Sequence, residues 1–240
     1  MRKLATAMAA ALLTATAGSA VAATAVVYQN DFNTSSMGSG VVATITGPSG
    51  AFDVGGADYG GLTGRFLQNG STDLTIFTLS NLPAHTSLDV DFTLVFLDSW
   101  DSIDGGLAPD YLEIYLDGAL FAKLTANNAS GSTNDFAGGA QTHLSNFIYS
   151  GWNDRVVDMS GVGGLSFAHT ASTFTLGFRA GGAGWQGGAD ESWGVDNLKV
   201  TATLPMAGGV PEPSTWALLI LGFGAAGAMM RRRGARAAAA

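Results

Sequence analysis

The side chains of this sequence best placed to do chemistry are carboxylates set in loops. In "DSWDSIDGGLAPD", Asp98, Asp101, Asp104 and Asp110 fall on one stretch between two strand-like segments. Calcium favours oxygen-rich loops of this kind. The carboxylates stand near every third residue rather than in the alternating pattern of an EF-hand loop, so a solvated acidic loop is the competing reading. A second candidate is "GGADESWGVDNLKV". Leu198, Val200, Ala202 and Leu204 alternate along one strand face, and parity puts Asp196 on that same core-facing side. A carboxylate there needs hydrogen-bond donors or a cation. Asp31 and Asn33, in "NDFN" at the start of the domain, are its neighbours if the first and last strands lie side by side. Asp31 and Asp196 are then the expected ligands of a structural calcium ion. The alternative is that Asp196 and Asn197 cap a turn through side-chain to backbone hydrogen bonds.

Aromatic side chains grip sugar rings by stacking on their apolar faces. Trp100, Trp152, Trp185 and Trp193 sit in or near Gly-rich loops, as do Tyr59 and Tyr149. Trp185, in "AGGAGWQGG", has no apolar neighbour and is the expected exposed aromatic, with Trp100 as a second glycan-facing candidate. Trp193 is expected in the core. Signals for catalysis are sparse. His85, His143 and His169 are isolated in sequence, and there is no GxSxG nucleophile elbow. The many acids leave room for a carboxylate pair that could hydrolyse a glycoside.

These groups must be held by strands. In "SLDVDFTLVFLDSW", Leu88, Val90, Phe92, Leu94 and Phe96 alternate with Asp89, Asp91 and Thr93, the period of a strand with one face in a core. "YLEIYLDGALFAKLT" reads as a hairpin, with Asp117-Gly118 as its tight turn. Further strands are expected at 25–29, 41–46, 73–79, 155–159, 173–179 and 198–204. Paired glycines punctuate these segments, and no amphipathic helix interrupts them. The pattern predicts an all-β fold, a jelly-roll-like antiparallel β-sandwich. A Gly-rich β-solenoid is the alternative, but no fixed repeat period supports it.

The two ends differ from this domain. Arg2 and Lys3, an apolar run rich in Ala and Leu, and small residues at 18–23 have the order of a secretory signal peptide over 1–23, a substrate for signal peptidase. The sandwich is expected over 24–204, a comfortable size for one domain. It holds 18 of the 19 acidic residues against Arg65, Lys123, Arg155, Arg179 and Lys199, a net charge of −13. Such a surface repels nucleic acid, which is excluded as a partner. With no cysteine in the chain, disulfides and thiolate chemistry are excluded too. A linker follows at 205–209, then a distinct segment at 210–236 and an Ala tail at 237–240. Residues 216–230 are fifteen apolar residues, roughly 22 Å of helix against a hydrocarbon core of about 30 Å. Extension through Ser214 and Thr215, with Trp216 at the interface and Arg231, Arg232 and Arg233 snorkelling, makes a membrane span feasible. The arginines would stay on the cytoplasmic side and leave the domain outside.

Val210-Pro211-Glu212-Pro213-Ser214-Thr215-Trp216-Ala217, followed by a short apolar helix and the arginine cluster, resembles the PEP-CTERM sorting signal. The resemblance covers about the last thirty residues. It implies a Gram-negative source and recognition by exosortase, a membrane-embedded cysteine protease. The tail would be a temporary membrane anchor, cut near Pro211-Glu212-Pro213, with the domain passed to the cell surface or the extracellular polysaccharide matrix. The prolines keep that segment extended and open to a protease. "NDFN" and "VDNLKV" are also similar to the opening and closing segments of jelly-roll carbohydrate-binding modules, which often hold a structural calcium; Asn33 stands where those modules often carry a glutamate. The expected function is an exported, non-catalytic surface or matrix protein that binds glycan. The alternative is a secreted glycan-active hydrolase.

Overall fold

The computed structural model describes residues 22–59, 62–101, 108–128, 140–144, 152–206 and 213–237. The signal segment, Asp104, Pro211 and Glu212 lie outside the described residues. Strands follow in the order β1 (Thr24–Asn30), β2 (Ser35–Met37), β3 (Val42–Thr46), β4 (Gly50–Tyr59) and β5 (Leu62–Asn69). Next come β6 (Thr75–Ser80), β7 (Ser87–Asp98), β8 (Asp110–Leu116), β9 (Ala119–Leu124) and β10 (Ala140–Leu144). The last are β11 (Asp154–Asp158), β12 (Ser166–Ala168), β13 (Thr173–Gly182) and β14 (Glu191–Thr203), followed by the helix α1 (Pro213–Ala237). Residues 22–205 form one compact unit.

The strands make two antiparallel sheets, the sandwich that the alternation predicts. The larger runs β10-β11-β7-β14-β1-β2, with β5 also paired to β14, β4 to β5, and β12 to β7. The smaller runs β3-β6-β13-β8-β9. Between them lies the core. Leu88, Val90, Phe92, Leu94 and Phe96 of β7 face Leu112 and Ile114 of β8 and Phe174, Leu176 and Phe178 of β13 in one buried cluster. The expected hairpin turn is present, with positive φ at both Asp117 (48°) and Gly118 (77°), as a two-residue turn of this hand requires.

The centre of the larger sheet is β14. Its one edge pairs with β7 from Glu191 to Thr203. Its other edge pairs first with β5, at Trp193–Val195, and then with β1 from Leu198 onward. Between these two partners β14 carries a bulge. Asp196 pairs with Thr93 and Lys199 with Asp91, so β14 spends one residue more than β7, and Asn197 takes a φ of 51°. This corrects the parity argument for Asp196. Trp193 and Val195 belong to the core cluster, and so do Leu198, Val200 and Ala202; the bulge changes parity between them. Asp196 therefore lies with Ser192 and Gly194 on the outer face of the sheet, opposite Thr93.

That outer face is itself covered beside β5. A Cβ on Gly194 would stand 2.5 Å from the Phe66 ring and 2.7 Å from the Leu67 carbonyl oxygen. Gly194→Ala should therefore destabilise the domain by about 1–3 kcal/mol, the usual scale of overpacking. Urea denaturation measures this, and an unchanged midpoint would mean that β5 is not seated on β14 as described.

The helix α1 begins at Pro213, where the missing proline N–H costs nothing in a first turn. Among the described residues no helix is long and apolar enough to cross a membrane.

Candidate functional site

The most developed surface is the outer face of the smaller sheet. Along β8, Asp110, Leu112 and Ile114 point inward, whereas Tyr111, Glu113 and Tyr115 alternate outward and are half-buried. The neighbouring strands place a base on each side of Glu113: Arg179 of β13 and Lys123 of β9 are both its register partners. Arg179 donates from Nε (3.0 Å) and Nη2 (2.6 Å) to Glu113 Oε2, and the Tyr115 hydroxyl donates to the same oxygen at 2.6 Å. Lys123 Nζ lies 3.7 Å from Glu113 Oε1 and 4.0 Å above the centre of the Tyr111 ring. The Tyr115 hydrogen bond, with the two bases behind it, holds the Glu113 carboxyl below its ordinary range, and Glu113 in turn raises the Tyr115 hydroxyl.

Each tyrosine faces a glycine across the strand pair, Tyr111 opposite Gly181 and Tyr115 opposite Gly177. The missing side chains leave hollows beside the rings. One cleft of about 460 Å³ is lined by Thr72, Tyr111, Glu113, Lys123, Arg179 and the 180–183 segment. A smaller one, about 160 Å³, is lined by Leu74, Ile76, Tyr115, Gly118, Thr175, Gly177 and Arg179. Arg179 lines both. The result is a face with two aromatic rings and a fixed set of charged donors and acceptors between them.

At the other side of the domain, the β14 bulge brings the two expected calcium ligands into one corner. Asp196 is buried, and burial raises its carboxyl to about 6; the Asn197 and Thr63 backbone N–H groups oppose the rise and the charge of Asp31 adds to it. Asn33 fastens the corner, accepting from the Arg65 N–H at 3.1 Å and donating to the Thr63 carbonyl at 3.4 Å. Asp31 accepts from the N–H groups of Asn33 (3.0 Å) and Thr34, and these bonds lower its pKa. Asp196 accepts from the Asn197 N–H at 2.7 Å. Backbone donors thus serve both carboxylates, the turn-capping arrangement, and the polar count here does not demand an ion. Among the described residues no three His, Asp or Glu side chains converge as a ready metal centre.

Asp196 carries a pH prediction. The unfolded carboxyl titrates near 3.8 and the folded one near 6, so between those values the folded state holds a proton that the unfolded state has released. With chelator present, stability should fall as pH rises from about 4 to about 6, and the Asp196 contribution should be flat above that. Asp196→Asn should reduce this slope. Thermal unfolding across the pH series is the measurement, and an unaltered slope in the variant would contradict the burial of Asp196.

The acidic loop contributes in a different way. Asp110 is fully buried, and burial raises its carboxyl to about 7; the Asp101 N–H draws it back, while the charges of Glu191 and Asp101 push it further up. Asp98 and Asp101 are also raised, first by burial and then by the charge of Asp190.

Trp100 and Trp185 are placed differently from expectation. Trp100 is fully buried, which corrects its reading as a glycan-facing residue. Asp98 has a φ of 67°, the Trp100 N–H donates to the Asp98 carbonyl at 2.9 Å, and this tight turn swings the indole inward. Its Nε1 donates to the Ser192 carbonyl at 2.7 Å, and its ring meets Phe96 and Trp185 edge-on. Trp185 is half-buried against the core, and Trp193 is wholly inside it, as expected. Trp152 is 45% exposed. Nor are His85 and His169 isolated. His85 Nε2 lies 2.7 Å from His169 Nδ1, and His169 Nε2 lies 3.2 Å from Asp117. That chain ties together the loops before β7, after β12 and between β8 and β9.

Among solved structures, the chain is similar to the CBM22-1 xylan-binding domain from Paenibacillus barcinonensis Xyn10C. The identity is 12% and the TM-score 0.30, over 78% of this chain and 99% of that one. It is also similar to the catalytic domain of a GH87 alpha-1,3-glucanase in complex with nigerose, at 12% identity and a TM-score of 0.31, over 79% of this chain and 30% of that one. No curated protein matches the chain. Residues 209–233 match the family model described as the PEP-CTERM protein-sorting motif. The matched segment contains Pro211, Glu212, Pro213, Trp216, Arg231, Arg232 and Arg233, and the chain therefore carries a PEP-CTERM protein-sorting motif.

Proposed function

We propose that this is an exported protein that exosortase releases from its C-terminal segment, and that the sandwich then serves at the cell surface or in the extracellular matrix as a non-catalytic module that binds polysaccharide. The sorting motif at 209–233 supports the destination. The observation that carries the binding role is the outer face of β8, β9 and β13. Tyr111 and Tyr115 offer rings for stacking, the glycines opposite them leave room for a sugar, and Glu113, Arg179 and Lys123 are already oriented to bond its hydroxyls. Because Glu113 fixes both bases, little side-chain entropy remains to be lost on binding.

A hydrolase would need an acid–base couple that reaches substrate. Among the described residues, the neighbouring carboxyls Asp110 and Glu191 are wholly buried and out of a substrate's reach. Retention in gels cast with the producer's own polysaccharide tests the proposal. The protein should be slowed without releasing oligosaccharides, and Tyr111→Ala and Tyr115→Ala should each weaken retention about tenfold, the equivalent of one good stacking contact. Release of oligosaccharides would overturn the non-catalytic reading. Unchanged retention in both variants would move the binding surface elsewhere.

A further inference from the structure

We propose that Asp110 and Glu191, together with the Ala108 carbonyl oxygen, bind a divalent cation of the calcium class at the base of the 98–110 loop. Both side chains are fully buried. Asp110 lies within hydrogen-bond range of the Glu191 carboxyl, and among the described residues its Oδ1 has no hydrogen-bond partner. Two acceptors that meet in a buried site require something positive between them. Asp110 Oδ2 accepts from the Asp101 N–H at 2.8 Å, and Glu191 Oε2 accepts from the Gln186 N–H, so both carboxylates are held rigidly by backbone.

Gly184 supplies the third side of the site. A Cβ there would stand 2.1 Å from the Ala108 carbonyl oxygen and 3.3 Å from Asp110 Oδ1, so these two oxygens converge over its Cα. Ala108 is exposed, which lets water complete the shell. Carboxylates, a backbone carbonyl and water are an ordinary oxygen set for calcium, and a loosely shaped one suits it better than magnesium. The Asp31–Asp196 corner differs in that, among the described residues, none of its carboxylate oxygens is both buried and without a partner, as Asp110 Oδ1 is. The site stands independently of the glycan-binding proposal.

The test is thermal unfolding of the full chain in mild detergent, stripped with chelator and titrated with calcium. The midpoint should rise by roughly 5–10 °C at a hundredfold excess over the dissociation constant, with a smaller rise for magnesium. Asp110→Asn keeps the acceptor for the Asp101 N–H and turns an amide toward Glu191. This variant should unfold at a higher temperature than the native chain without calcium, and should lose the calcium response. Glu191→Gln is the second variant, keeps the acceptor for Gln186, and should lose the response too. No calcium response in the native chain would overturn the proposal and leave a shared proton between the carboxyls. A response that survives in both variants but disappears in Asp196→Asn would also overturn it, by placing the ion at the bulge.

Discussion

Trp100→Ala should cost about 3–5 kcal/mol of folding stability, the range for deleting a buried large aromatic. Against a typical total of about 5–15 kcal/mol, that is enough to leave a substantial fraction of chains unfolded at growth temperature. The size of the effect follows from what the indole touches. It is fully buried, packs edge-on between Phe96 and Trp185, and satisfies the Ser192 carbonyl through Nε1. Removing it empties a cavity and strands a buried acceptor as well. Trp152→Ala is the matched control, because that side chain is 45% exposed and surface substitutions usually change stability by about 0.5 kcal/mol or less. Urea denaturation followed by far-ultraviolet circular dichroism measures both without relying on tryptophan emission. If Trp100→Ala left stability intact and abolished polysaccharide retention, the buried placement would be refuted.

The other large effect concerns the sorting segment. Replacing Pro211, Glu212 and Pro213 together with alanine should abolish release of the C-terminal segment in the producing cell. The argument begins with the helix boundary. α1 starts at Pro213, and a proline disfavours helical backbone in the residue before it. Alanine at all three positions favours helix over extended chain, which withdraws the backbone a protease must reach. Intact-mass analysis of surface and matrix fractions is the measurement. Native protein from these fractions should lack residues 216–236, whereas the substituted protein should keep them and stay with the cell membrane fraction. Native protein recovered from the matrix with that segment still attached would refute processing.

Much of the sandwich was legible because its strands alternate. β7 and the β8–β9 hairpin follow from "SLDVDFTLVFLD" and "YLEIYLDGALF", where apolar and polar positions take turns and Asp-Gly marks the bend. β4 and β5 were missed: "GAFDVGGADY" and "LTGRFLQN" show no clean period, and their glycines suggest a loop. The first half of β14 was missed for a related reason, since Glu191 to Asp196 are buried on both faces and no polar side marks the period. Bulges are the deeper obstacle. A single extra residue at Asn197 reversed the side on which Asp196 was expected, and sequence periodicity has no way to announce it.

The sheet-face site was half-visible. Tyr111, Glu113 and Tyr115 occupy every second position of β8, a signal present in the sequence. Their partners Lys123 and Arg179 come from other strands, and no local pattern sets that register. The histidine pair is hidden for the same reason, with His85 and His169 separated by 84 positions. Trp100 was misjudged because polar neighbours suggest exposure, whereas one backbone turn at Asp98 decides where the ring goes. The C-terminal motif needed no tertiary structure at all, because its parts are consecutive.

The position of β14 also governs timing. It is the last strand of the domain to be synthesised, yet it supplies the shared border for β7, β5 and β1. Until Thr203 is available, β7, β5 and β1 have no common partner, and every pairing β14 makes with them closes a loop of about 90 residues or more, as in the pairing of Thr24 with Thr203. Pairings of such long range make folding slow. The larger sheet therefore closes only once β14, its last strand, has been made.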